Sequence, residues 1–351
     1  MHMTDALLSP TVGGAFVAVS GGVLAYSARR MSREGDERRV PLMGVLGAFV
    51  FAAQMINFAI PGTGSSGHLG GGMLLAILLG PYAAFLVLCS VLVVQCLFFA
   101  DGGILALGTN AFNLGVWPCF LGLLVYRMIA GDRRLPGWRW IGSVVAVAVS
   151  LELGALGVVL QTILSGRSEL PFGRFAALMM GIHLPIAVVE GVVTAAVVQF
   201  VRSLRPTVVN GAFARAAEPA AAGRRETMMP ALLSLGALAI LTGCVLAWFA
   251  SASPDGLEWS LERAGAAQAA EAFSSIPALE RLQEKTAFMP DYSLPPGETA
   301  DSSADAQPVW PAVDAGTSVA GLVGAVLAFA IVSLAALLLY RLRPRARVSK
   351  T

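Results

Sequence analysis

Long uninterrupted apolar runs dominate this chain, in place of the helical or strand-like alternation of a soluble domain. On the rule that about 20 apolar residues cross the hydrocarbon core as a helix, the runs predict helices near 11–28, 41–60, 70–79, 81–100, 104–129, 140–164, 175–201, 230–250 and 317–340. The third is too short to cross alone. It is expected to cross together with the glycine-rich stretch before it, because irregular backbone is allowed at membrane depth where protein rather than lipid surrounds it. The predicted fold is an all-α polytopic membrane protein with a seven-segment helical core at residues 1–205. A linker at 206–229, rich in Ala, Gly and Arg, leads to a two-helix block at 230–351, whose helices are separated by a loop at 251–316.

Composition agrees with the pattern: 56% of the 351 residues are hydrophobic and 13% charged, with a mean hydropathy of +0.72, outside the soluble range. The net charge of +2 says little, but its distribution sets an orientation. Nine crossings with the amino terminus outside put 29–40, 127–139, 202–229 and 341–351 in the cytoplasm, and these hold 19 of the 24 Lys and Arg residues. That bias is the positive-inside rule. It makes 206–229 a cytoplasmic linker and turns 251–316 outward, in the cytoplasmic membrane, with the carboxy terminus inside. The outer loop carries eleven of the 22 acidic residues and seven prolines, with a helix expected within Leu257 to Ala272. The first helix is retained rather than cleaved, since Asp5 precedes it and five arginines follow it. The four cysteines lie inside apolar runs without C-x-x-C spacing, so neither a disulfide framework nor a zinc site is indicated.

The stretch Pro61 to Gly72 holds six glycines and one of only three histidines, His68. Gly62 and Gly67 have the spacing of a phosphate-binding loop, but His68 and Leu69 replace its lysine and hydroxyl residue, which excludes nucleotide binding there. Without a metal, the stretch reads as a flexible connection. His2 lies directly behind the amino terminus. The Met1 amine, the deprotonated His2 amide and the His2 ring can close adjacent chelate rings in one plane, and His68, on the same predicted side, could supply a fourth nitrogen. Four nitrogens in a square plane suit Ni(II) or Cu(II) rather than tetrahedral zinc, with affinity falling in acid. Gln54, Asn57, Ser65, Ser66, Asn110 and Asn113 are candidate hydrogen-bond partners for the ligand histidines. His183, seven residues before Glu190 on one helix face, reads as half of a structural pair. Small residues at Gly14, Ala18 and Gly22 favour close helix packing, either within the chain or against another subunit.

Several motifs together resemble the CbiM/NikM family, the substrate-capture components of cobalt and nickel energy-coupling-factor transporters. They are Met1-His2 with Leu8-Ser9-Pro10, then Phe51-Ala-Ala-Gln-Met-Ile-Asn57 leading into Ser66-Gly-His-Leu69. Phe99-Ala-Asp-Gly-Gly103, Ala106-Leu-Gly108, Asn110-Ala-Phe-Asn113, and His183 with Glu190-Gly191 and Thr194 complete the set. Pro254-Asp-Gly-Leu-Glu-Trp259 and Pro290-Asp-Tyr-Ser293 resemble the PDGLE accessory component, of CbiN/NikN type, fused behind some members. The resemblance implies Met1, His2 and His68 as metal ligands. The family's usual Ile-Pro-Asp-Gly after the second-position histidine is Met3-Thr4-Asp5-Ala6 here, so the path of the amino-terminal strand differs.

The expected function is capture of Ni2+ or Co2+, as transported substrate and with no other cofactor, from outside the membrane, followed by delivery across it with the protein reorienting as a body. The sequence has no P-loop lysine motif, so it is not expected to be an enzyme that hydrolyses ATP. The resemblance implies as partners a transmembrane coupling subunit and two cytoplasmic ATPase subunits. The alternatives are a membrane electron carrier using haem or quinone, which would want histidine pairs on facing helices, and a purely structural subunit that binds no metal.

Overall fold

The computed structural model describes residues 2–34, 37–131, 136–166, 170–204, 228–265, 276–294 and 310–341. In chain order the main helices are α1 (Pro10–Glu34), α2 (Val40–Gln54), α3 (Gly72–Leu79), α4 (Pro81–Phe99), α5 (Leu107–Ala130), α6 (Pro136–Leu164) and α7 (Phe172–Leu204). The second block adds α8 (Met229–Cys244), α9 (Gly256–Ala264), α10 (Pro277–Thr286) and α11 (Ala315–Arg341). Among the described residues six helices, α1, α4, α5, α6, α7 and α11, are long and apolar enough to cross a membrane. The protein is mostly helical and multi-pass. Most of the predicted linker lies outside the described residues, as does 266–272 of the predicted outer helix, which is seen as α9.

One expectation is corrected by the break after α2. The helix ends at Gln54 rather than near residue 60, and a short two-stranded ribbon follows in the otherwise helical fold. Strands β1 (Phe58–Ile60) and β2 (Ser65–Gly67) form an antiparallel ribbon, with Phe58 opposite Gly67 and Ile60 opposite Ser65. Gly62 and Gly64 in its turn both have φ of +76°, a conformation that glycine adopts without a side-chain penalty. At 15 residues, α2 spans about 22 Å, short of the roughly 30 Å hydrocarbon core. The chain goes on from α2 into the non-helical ribbon and then into the short, fully buried helix α3.

Small residues set the close approaches. Gly80, with φ of +84°, ends α3, and Pro81 opens α4 at the helix position where a missing N–H costs nothing. A Cβ on Gly108 of α5 would strike the Val17 backbone of α1, and the Ser20 hydroxyl donates to the Gly108 carbonyl at 2.6 Å. The middle of α5, Phe112–Gly122, is wound in wider turns and contains Pro118, which has no N–H to give a regular helix. The small-residue stripe of α1 takes no part in packing among the described residues: apart from α1's own backbone, none of them has an atom within 4 Å of a Cβ built on Gly14, Gly21 or Gly22.

The second block docks onto the first through glycines. Ser333 and Phe329 of α11 lie over Gly44 of α2, Phe51 of α2 lies over Gly324 of α11, and Gly243 of α8 meets Gly321 of α11 backbone to backbone. Removing the side chains at these crossings lets van der Waals fit hold helices together where lipid weakens the hydrophobic drive. This face of α2 carries the two-helix block, while the ends of α2 and α4 carry the elements described next.

Candidate metal centre

The amino-terminal strand is threaded into the bundle and held by α5 and the loop before it. Asn110 clamps Met3 on both sides, accepting the Met3 N–H at 2.8 Å and donating to its carbonyl at 3.1 Å. The Gly103 N–H donates to the same carbonyl at 3.1 Å. Asp5 accepts the Ala106 N–H at 2.9 Å, so the departure at residues 3–6 leaves a strand that is still tied down. Gly102, with φ of +83°, has Asn110 Nδ2 only 2.9 Å from where a Cβ would lie. Met1 itself lies outside the described residues.

This path brings His2 beside His68. Their ring centroids are 5.0 Å apart and the planes are inclined by 31°. His2 Nδ1 donates to Asp101 Oδ1 at 2.7 Å, while its Nε2 is buried and has no hydrogen-bond partner among the described residues. Such a buried nitrogen is uncommon in a folded protein. His68 Nδ1 donates to the Leu69 carbonyl at 3.2 Å, which puts the ring's lone pair on Nε2. Burial lowers the His68 pKa from its ordinary value to about 3, and the neighbouring His2 adds to the effect. The ring is thus a neutral nitrogen donor at physiological pH.

Asp101 is the residue that the sequence reading passed over. It sits just past the end of α4, where Ala100 turns with φ of +55°. Its second oxygen accepts the Tyr292 hydroxyl at 2.5 Å, and the Tyr292 ring stacks on Phe99 at 5.0 Å. Burial would raise the carboxyl, but the charge and hydrogen bond of His2 and the hydroxyl of Tyr292 hold it below the ordinary carboxylate range. A lone acid in Phe99-Ala-Asp-Gly-Gly103, at the end of an apolar helix, was the available signal. Its partner, 191 residues away, gave none.

The loop bearing His68 is fixed from below. Glu190 of α7 accepts the N–H of Gly70 at 3.0 Å on one oxygen and that of Gly71 at 2.9 Å on the other. Gln54 donates to the Gly70 carbonyl at 2.8 Å. Gly71, with φ of +73°, is the N-cap of α3, so the carboxyl group also lies at the positive end of that helix. His183 and Glu190 therefore do not form the structural pair expected of them: His183 Nδ1 donates to the Met179 carbonyl at 2.7 Å, within its own helix.

The six candidate partners of the histidines are placed as follows. Asn110 holds the strand and Gln54 the loop, whereas Asn113 exchanges hydrogen bonds with Gln161 of α6. The Asn57 carbonyl accepts the Ser251 N–H, and Ser65 and Ser66 bond to residues 253 and 254. The ring partner given for His2 is Asp101, outside that set.

Both blocks resemble known proteins. The family model described as the cobalt uptake substrate-specific transmembrane region matches residues 2–208, and that of the PDGLE domain matches 230–341. The chain is 33% identical over 338 residues to a putative fused nickel transport protein NikMN of Archaeoglobus fulgidus, covering 94% of this chain and 96% of that one. It is 30% identical to a cobalt transport protein CbiM of Geobacter sulfurreducens, with 69% and 72% covered. A crystal structure of a truncated transition metal transporter superposes with a TM-score of 0.51 at 31% identity, over 58% of this chain and 99% of that one.

Glu190→Ala should strand the Gly70 and Gly71 N–H groups, at a cost on the order of 1–3 kcal/mol for each buried donor left without an acceptor. Thermal unfolding of the purified protein measures it. A melting temperature equal to the parent's would mean that the loop is fixed by other contacts.

Proposed function

The chain belongs to the CbiM family with a PDGLE domain fused behind it, and from that premise we propose that it is the substrate-binding membrane subunit of an energy-coupling-factor importer for Ni2+ or Co2+. The observation that carries the proposal is the meeting of His2 and His68, 66 positions apart in sequence, with a centroid separation of 5.0 Å and with Asp101 against the His2 ring.

In this reading the ligands are the Met1 amine, the His2 amide and ring, and His68. The six-membered chelate ring would close through His2 Nδ1, the atom held here by Asp101, so capture would exchange that hydrogen bond for a coordinate bond, with the ring's proton carried on Nε2 instead. Asp101 then keeps its hydrogen bond from Tyr292 and leaves a carboxylate next to the cation. His68 brings its lone pair without first losing a proton. Deprotonation of the amide is the step that makes binding weaken in acid.

The distribution of Lys and Arg supports a cytoplasmic-membrane orientation with the amino terminus and His68 outside and the carboxy terminus inside. Release inside would follow reorientation of the subunit, driven by a transmembrane coupling protein and two ATPase subunits. The electron-carrier alternative lacks support, since His183 is the one histidine within a helix and its Nδ1 is committed to a backbone carbonyl.

His68→Ala should lower Ni2+ or Co2+ affinity by at least about a hundredfold, because losing a ligand should exceed the 10–100-fold typical of losing a residue behind one. Calorimetric titration of folded parent and variant, each tagged only after Thr351, decides it; parental affinity in the variant would reduce His68 to a loop residue. Residues added before Met1 displace the amine from the chelate, and are expected to remove both tight binding and uptake. Binding unchanged by such an extension would mean a site made of side chains alone. In cells, a cysteine at Ser302 in a cysteine-free background should react with an impermeant reagent and one at Ser349 should not. The reverse labelling would turn the site to the cytoplasm and end the uptake reading.

A further inference from the structure

The first block supplies His2, His68 and Asp101, but the cavity beside His68 has a wall that comes from the second block. The segment leading into α9 lies along the ribbon as a strap. Ser251 N–H donates to the Asn57 carbonyl at 2.7 Å, and Ser66 N–H donates to the Pro254 carbonyl at 2.8 Å. The Ser66 hydroxyl donates to the Ser253 carbonyl at 2.7 Å, and Trp259 Nε1 to the Thr63 carbonyl at 3.0 Å. The hydrogen-bonding edge of β2 is thereby covered by a segment nearly 190 residues downstream.

The strap turns at Asp255, the N-cap of α9. Its Oδ1 accepts the N–H groups of Leu257 at 2.8 Å and Glu258 at 2.9 Å, while the Glu258 carboxylate accepts the Asp255 N–H at 3.1 Å. The next residue must be small: a Cβ on Gly256 would lie 2.9 Å from His183 Cε1. The outcome is that Asp255 and Gly256 line one small cavity together with Gly67, His68, Gly70 and His183. Burial would raise the Asp255 carboxyl, yet the Glu258 N–H and the facing His68 are among the groups that keep it below the ordinary carboxylate range.

We propose that Asp255 of the PDGLE motif is part of the metal site, supplying a negative charge that holds the captured cation beside His68. The inference rests on the reading of His2 and His68 as metal ligands. The chemistry favours carboxylates around such an ion. A divalent ion that displaces one amide proton keeps a net charge of +1, and neutral amine and imidazole donors do nothing to cancel it. The strap covers part of the site and leaves His68 and Asp255 half-buried, where charge is less screened than in bulk water. Asp101 lies on the His2 side and Asp255 on the His68 side, so the cation would rest between two anions, one from each block. The signature motif then has a division of labour: Asp255 faces the site, Gly256 makes room against His183, and Glu258 ties the turn that aims the carboxylate.

Two substitutions separate this role from simple capping of α9. Asparagine caps a helix about as well as aspartate but carries no charge, whereas glutamate keeps the charge and is not a favoured cap. Ni2+ titration of full-length protein with a native amino terminus should therefore show Asp255→Asn weakened by about tenfold or more, with Asp255→Glu closer to the parent. The thermal stability of the Asn variant without added metal should match that of the parent. If Asn binds as the parent does and Glu is the weaker of the two, Asp255 is a helix cap and the proposal fails. Should the Asn variant melt early, Asp255→Ser, a second uncharged cap, replaces it in the same comparison, with parental affinity again overturning the proposal. A parent that binds neither Ni2+ nor Co2+ would overturn the underlying metal reading, a result visible before any variant is made.

Discussion

Glu190 and Gln54 answer the hardest demand that this sequence makes of its environment. Between the end of α2 and the start of α3 the backbone leaves the helical ladder inside a protein that is otherwise apolar helix, and each freed N–H and carbonyl there must find a partner. Part of the demand is met by the ribbon of β1 and β2. The remainder falls on Gly70 and Gly71, whose groups are taken up by a carboxyl from α7 and an amide from α2. Without those two side chains the loop that carries His68 would have no fixed height in the bundle.

The same logic explains why the site is assembled from segments distant in sequence. Short irregular stretches cannot orient a side chain by themselves, so each histidine-bearing stretch borrows rigidity from a helix. His2 is placed by Asn110 of α5 and by Asp101 at the end of α4; His68 is placed by α7 and α2. The second block then fastens the outer edge, with Tyr292 on Asp101 and the strap on β2. α11 docks on α2 where Gly44 and Gly324 each meet larger side chains of the other helix, and α8 meets α11 through Gly243 and Gly321. Fusion of the two blocks in one chain keeps both contacts at high effective concentration.

How much of this was readable beforehand varies by element. The long helices were legible because apolar runs of membrane-spanning length allow few other structures, and their ends were marked by arginines, by Pro81 and by glycines. The break after Gln54 was less so: the predicted helix to residue 60 continued through Met55, Ile56, Phe58 and Ile60, which are apolar enough to extend it, while the ribbon depends on pairing that only the tertiary fold provides. His68 could be singled out by rarity and by its glycine setting, and His2 by its place in the chain. Asp101 and Tyr292 could not be joined from sequence, because a hydrogen bond across 191 residues leaves no periodic trace.

The sequence by itself determined that this is a multi-pass helical membrane protein, which residues are chemically able to bind a transition metal, and that these are few. Composition and run length suffice for the first, since lipid leaves a backbone so few solutions. Scarcity suffices for the second, since a chain with three histidines offers little choice. Only the tertiary structure decided which polar groups serve which purpose: that Glu190 holds a loop instead of pairing with His183, that Asp101 takes the His2 ring, and that the outer block pairs with β2. Those assignments depend on distances of about 3 Å between segments far apart in the chain, fixed by the packing of helices whose faces the sequence lists but does not orient.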